Sequence, residues 1–172
     1  MKTTKNITLS AILIAMGIAI PTFMPKFILP PASYTLASHV PIFIAMFISP
    51  VTAVSVALGT AFGFLMTTTP EIAARALSHV IFATIGALYL QKHPALIKSK
   101  KQLLIFNIII AIIHASSEVL VVTPFYFTKT LAQNSSYIVN IILLVGIGGF
   151  IHSMIDFFIA QTVFGKVKTV IR

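Results

Sequence analysis

Acidic side chains are scarce in this sequence: Glu71, Glu118 and Asp156 are the whole set in 172 residues. Four of the five histidines, His39, His79, His114 and His152, fall in separate apolar stretches, and Arg75 stands close to one of them. An ionisable group in a bilayer costs several kcal/mol unless it is paired or faces a cavity, so each is a functional candidate. The spacings sort them further. Glu71, Arg75 and His79 recur every four residues and share one helix face, as do His114 with Glu118 and His152 with Asp156. An arginine flanked by histidines is a receptor for a carboxylate, which it meets with two parallel hydrogen bonds. Imidazoles beside a glutamate also suit acid–base chemistry or metal ligation. The alternative is that Arg75 pairs with Glu71 or Glu118 and merely ties helices together, at about 0.6–2 kcal/mol per polar contact.

The elements that must position these residues are membrane helices. Hydrophobic residues make up 58% of the chain and charged residues 9%, with a mean hydropathy of +1.02, whereas soluble domains carry about 25% charged residues. Six apolar stretches are predicted: Ile7–Phe23, Leu36–Ile48, Val51–Thr67, Ile72–Leu90, Leu103–Val122 and Ile138–Phe164. A full crossing takes about 20 residues. The second and third are short and are separated only by Ser49 and Pro50, which suits a hairpin whose second helix begins at the proline. The last is longer than one crossing, with an interfacial start near Tyr137 expected. The reading is a single all-α membrane domain over residues 1–172, with six transmembrane helices and both termini cytoplasmic. The first stretch is too long for a cleaved signal peptide.

Orientation follows from the basic residues. Placing the N-terminus inside puts Lys2, Lys5, Lys92, Lys98, Lys100, Lys101, Lys166, Lys168 and Arg172 in the cytoplasm and leaves Lys26 and Lys129 outside, with Arg75 just inside a helix. This accounts for the formal charge of +9 without any nucleic acid. Taken as straight helices, the fourth and fifth stretches place Arg75, His79, His114 and Glu118 in the outer half of the bilayer. His39 is expected near the outer surface, and Asp156 with His152 nearer the cytoplasm, packing or gating. Above them runs a proline-rich outer segment, Pro21–Pro31. Ala11, Ala15 and Ala19 form one smooth face on the first helix, and Gly59 with Gly63 form another on the third, where internal packing is expected. The absence of cysteine excludes disulfides and thiolate metal sites. The chain has no phosphate-binding loop, no His-Glu-x-x-His pair and no nucleophile elbow, so it has no means of using ATP itself. Six short spans are few for a transporter of two inverted halves, which calls for a partner.

Over essentially its whole length the chain resembles the S components of energy-coupling factor (ECF) vitamin transporters. The resemblance rests on Ala11-x-x-x-Ala15, the proline-rich outer loop and the basic cytoplasmic edge. The stretch from Leu36 to Phe47, with its Ser38-His39-Val40-Pro41, and the run Arg75-Ala76-Leu77-Ser78-His79 are most similar to the niacin-specific branch. The resemblance implies capture of a vitamin near the outer face of the cell membrane, with no cofactor and no catalysis in this chain. Delivery would then need a transmembrane coupling protein and two ATPases that use ATP. Ala11, Ala15 and Ala19 would contact the coupling protein. A niacin site needs a cation, a partner for the ring nitrogen and an apolar slot; Arg75, His79, His114, Glu118 and His39 supply the first two, and Tyr34, Tyr126 and Phe125 are candidates to stack on the ring. S components for pantothenate, pyridoxine or hydroxymethylpyrimidine are the nearest rivals. A transition-metal carrier is disfavoured by the unequal depths expected for the histidines, by Arg75 beside His79, and by Lys2 where related nickel and cobalt S components carry histidine. A membrane enzyme lacks a nucleophile or metal set.

Overall fold

The computed structural model describes residues 2–131 and 136–171; Arg172, one of the residues assigned to the cytoplasmic edge, lies outside them. The chain runs as α1 (Lys2–Phe23), a hairpin of β1 (Lys26–Leu29) and β2 (Ala32–Thr35), then α2 (Val40–Ile48), α3 (Pro50–Thr67) and α4 (Pro70–Lys92). A 3₁₀ turn (Pro94–Lys98) leads to α5 (Lys100–Phe127), and a π-wound segment (Ile138–Gly148) runs directly into α6 (Gly149–Ile171).

Local chemistry sets several of these boundaries. Pro50, Pro70 and Pro94 each sit in the first turn of their helix, where a missing N–H costs nothing. Ser49 caps α3 by accepting from the Thr52 amide at 3.1 Å, and Ser99 caps α5 by accepting from Gln102 at 3.4 Å. The Ser49-Pro50 break is therefore a true helix boundary.

Five segments among the described residues are long and apolar enough to cross a membrane: Thr4–Phe23, Pro50–Thr67, Pro70–Lys92, Lys100–Phe127 and Ile138–Lys168. The stretch expected as a second full span is not one of them. Its helix, α2, has nine residues and is about 13 Å long, under half of a hydrocarbon core of about 30 Å. Residues 26–39 are spent instead on the hairpin and a tight turn. Lys26 pairs with Thr35 and Leu29 with Ala32, so the proline-rich segment is an ordered β-ribbon rather than a plain connector. From Val40 to Met46 every residue of α2 is buried, which places this short helix in the middle of the bundle.

The outward faces are apolar. Leu77, Ile81, Ile85 and Leu88 form an exposed ridge along α4, and Phe62 and Leu120 are 66% and 73% exposed; such surfaces are stable against lipid. Helix α1 packs on α3, where Gly59 lies beneath Ile14 and Gly63 beneath Ile18, so those glycines serve internal packing.

Inside, two apolar clusters are separated by a polar layer. Along α5, Leu103, Phe106 and Ile110 belong to the large cluster and Val122 to the small one, with His114 and Glu118 between them. Along the last span, Ile141 and Val145 belong to the small cluster and Phe157, Ala160 and Phe164 to the large one, with His152 and Asp156 between. The large cluster is centred on Phe43, whose ring lies 5.4 Å from Phe82 and 5.3 Å from Phe157.

Candidate functional site

The polar layer has two carboxylates as its hubs. Glu118, on α5, is 3% exposed and receives three side chains. Arg75 Nη2 donates to its Oε2 at 2.9 Å, and His79 Nε2 to its Oε1 at 3.0 Å, both across from α4. His114 Nε2, one turn earlier on α5, stands 3.5 Å from Oε1, too far and too poorly aligned for a hydrogen bond. Asp156, on α6, is fully buried. It accepts from the backbone amides of Ala37 at 2.8 Å and His39 at 2.9 Å, from His39 Nδ1 at 3.1 Å and from Ser38 Oγ at 3.4 Å. His39 is the N-cap of α2, so this carboxylate satisfies amides at a helix start, where a negative charge also complements the helix dipole. Ala37 holds a left-handed backbone, with φ of 70°, in the turn so anchored.

His39 joins the two hubs. Its ring lies 4.6 Å from His114, 4.9 Å from His79 and 5.0 Å from His152, each edge to face. Sequence reasoning placed the histidines at different depths and set Asp156 apart; the structure brings all four rings and both carboxylates into one constellation. The physical reason is the shortness of α2. Because Thr35–His39 turns inward and is pinned to Asp156, His39 lies inside the bundle and not at its outer surface. Glu71, by contrast, makes no ion pair among the described residues, although it shares a helix with Arg75.

Tyr34 reaches the same place from β2. Its ring meets His152 edge to face at 5.5 Å, and its hydroxyl donates to the Leu144 carbonyl in the π-wound segment. Gly148 and Gly149 pass close by: a Cβ at Gly148 would overlap the Tyr34 hydroxyl, and one at Gly149 would lie 3.6 Å from Glu118 Oε2. Tyr126 is not brought to the cluster. It packs with Phe127 and Tyr137, with ring centroids at 5.6 and 5.4 Å, beside the small apolar cluster that Phe125 also borders.

Several buried polar atoms around Glu118 have no hydrogen-bond partner: Arg75 Nε, His79 Nδ1 and both ring nitrogens of His114. Each such atom costs about 1–3 kcal/mol, and four of them lie around this one carboxylate. Sequence reasoning missed Ser38, which shares a hydrogen bond of 3.0 Å with His152 Nε2, and the Gly148-Gly149 pair. A glycine pair inside an apolar run was the available signal. Gly148 ends the π-wound segment, a form frequent at functional sites, and Gly149 begins α6.

A curated niacin transporter, NiaX of Lactococcus lactis subsp. cremoris (strain MG1363), is 45% identical to this chain over 158 residues, covering 91% of the chain and 71% of the relative. No family model and no solved structure matches.

Proposed function

The chain belongs to the niacin transporter family, and from that membership we propose that it is a multi-pass membrane S component that captures niacin in the polar layer around Glu118. The observation that carries this reading is the paired but incompletely bonded Arg75. Its Nη2 holds Glu118, while its buried Nε has no partner. A nicotinate carboxylate accepting from that free edge would add a charge-assisted hydrogen bond, each worth about 1.5–3 kcal/mol. His79 Nδ1 or His114 serves the second carboxylate oxygen or the pyridine nitrogen, and Tyr34, with His39 and His152, walls the planar ring. The role is transport, not catalysis. The test is binding of radiolabelled nicotinic acid to the purified protein, with nicotinamide, pantothenate and pyridoxine as competitors. Saturable binding displaced best by nicotinate is expected; preferential binding of pantothenate or pyridoxine would keep the family and overturn the vitamin.

For uptake, the chain works with a transmembrane coupling protein and two ATPases. The chain crosses six times, α2 together with the hairpin making up the second passage, and both termini are cytoplasmic. Ala11 and Ala15 are exposed on α1, the helix with the least buried span, and Ala19 is half-buried beside them. This is the face offered to the coupling protein. Ala15→Trp should abolish ATP-driven uptake while leaving nicotinate binding intact, and normal uptake by that variant would remove α1 from the docking surface.

A further inference from the structure

We propose that His39, His79, His114 and Glu118 hold a resident divalent transition metal ion, of the kind that imidazole and carboxylate donors favour, which receives the vitamin's carboxylate. This rests on the vitamin reading above and adds to it. The four residues each place a ligand atom within 4.8 Å of the others. A tetrahedral zinc-type ion with bonds of about 2.0–2.1 Å needs donors about 3.4 Å apart, so side-chain shifts under about 1 Å would close the set. Three donors are imidazoles on three different helices or their caps, all in ring contact with one another.

Two further features point the same way. First, the spacing at Glu118 is close to that of a ligand set: Nε2 of His79 and Nε2 of His114 stand 3.0 and 3.5 Å from its Oε1, so an ion there would take the place of the His79 Nε2 proton, and the unpartnered Nδ1 of each ring would carry its N–H toward the vitamin. His39 is already oriented by Asp156 through Nδ1, which leaves Nε2 as its donor in the carboxylate–histidine–metal arrangement that fixes a ligand's ring. Arg75 is not a free cation repelling the metal, as its place in the sequence suggested. It is engaged on Glu118 Oε2, leaving Oε1 toward the histidines.

Second, the charge has the wrong sign for the ligand. Counted with neutral imidazoles, one cation (Arg75) against two carboxylates (Glu118 and Asp156) leaves the layer at −1. A buried site of that charge repels a carboxylate. A divalent ion turns it to +1, and nicotinate then brings it to neutrality.

The test uses the full chain purified without a polyhistidine tag. Metal content by mass spectrometry, replacement with Co²⁺ followed by its visible absorption, and nicotinate binding before and after chelator treatment are the three readouts. Expected are about one metal ion per chain, an intense tetrahedral Co²⁺ band that shifts when nicotinate is added, and a loss of nicotinate affinity of about tenfold or more on stripping, restored by Zn²⁺. His114→Ala should lose the band and exposed His93→Ala should keep it. A protein with no stoichiometric metal, no Co²⁺ band and full nicotinate affinity in chelator overturns the metal and leaves the vitamin reading standing. Failure to bind nicotinate in both metal-loaded and stripped forms overturns the vitamin reading instead. If the His114→Ala protein is too unstable to purify, the Co²⁺ spectrum of the unmodified chain decides alone.

Discussion

The two carboxylates of the polar layer are alike in burial and in having histidines around them, yet they are bonded differently. Asp156 is saturated by the chain itself: two backbone amides, a serine and His39 converge on it. Glu118 is met only by side chains, and those side chains keep unused donors and acceptors on their far sides. A carboxylate bonded to backbone is part of the scaffold, because displacing it would undo the helix start it caps. A carboxylate bonded to partly unsatisfied side chains can be regrouped around a ligand, which is what the proposed niacin site requires. Counting buried acids does not separate the two; asking what remains unbonded around each does.

The largest effect should come from the scaffold side. Asp156→Ala leaves the amides of Ala37 and His39 and the His39 ring without an acceptor, and is expected to cost about 3–5 kcal/mol. Thermal unfolding in detergent should show a clear fall in midpoint; an unchanged midpoint would erase the distinction between the hubs. On the Glu118 side, Arg75→Ala should weaken nicotinate binding about 100-fold, from the loss of a charge-assisted carboxylate contact of about 1.5–3 kcal/mol. Arg75→Lys should recover only part of that, because a single ammonium cannot hold Glu118 and the nicotinate carboxylate from two edges as the planar guanidinium does. Equilibrium dialysis on the two variants would sharpen or sink the assignment.

A smaller effect is expected where the two sides meet. Gly148→Ala puts a methyl group into the Tyr34 hydroxyl, so affinity should fall about tenfold, or about 1.4 kcal/mol. Adding Tyr34→Phe should return most of it by making room, and a double variant no better than Gly148→Ala would mean the glycine acts elsewhere. Least of all, Tyr126→Phe should change nicotinate affinity by less than about threefold, since its ring packs with Phe127 and Tyr137 rather than with either hub.

Much of the Glu118 side of the layer was legible in the sequence, and little of the Asp156 side was. Arg75 with His79, and His114 with Glu118, are four residues apart on long helices, a spacing that guarantees a shared face whatever the rest of the chain does. The membrane character follows from composition, and the boundary between α2 and α3 from Ser49 and Pro50 alone. These are local properties, read directly from neighbouring residues.

Other features depended on contacts between distant parts of the chain. His39 and Asp156 are 117 residues apart, and no periodicity links them. Their meeting requires that the apolar stretch from Leu36 be cut short to a nine-residue helix, that the proline-rich segment fold as a hairpin, and that the last span start with a π-wound segment bearing Gly148. Hydropathy treats Leu36–Ile48 as one greasy run because it weighs side chains one at a time. It cannot register that the amides of residues 37 and 39 find their acceptor on another helix. Sequence alone therefore determined which residues are costly to bury and which lie on common helix faces. Tertiary structure decided that they share one layer, because an unpaired charge in an apolar interior is tolerable only where distant partners converge on it.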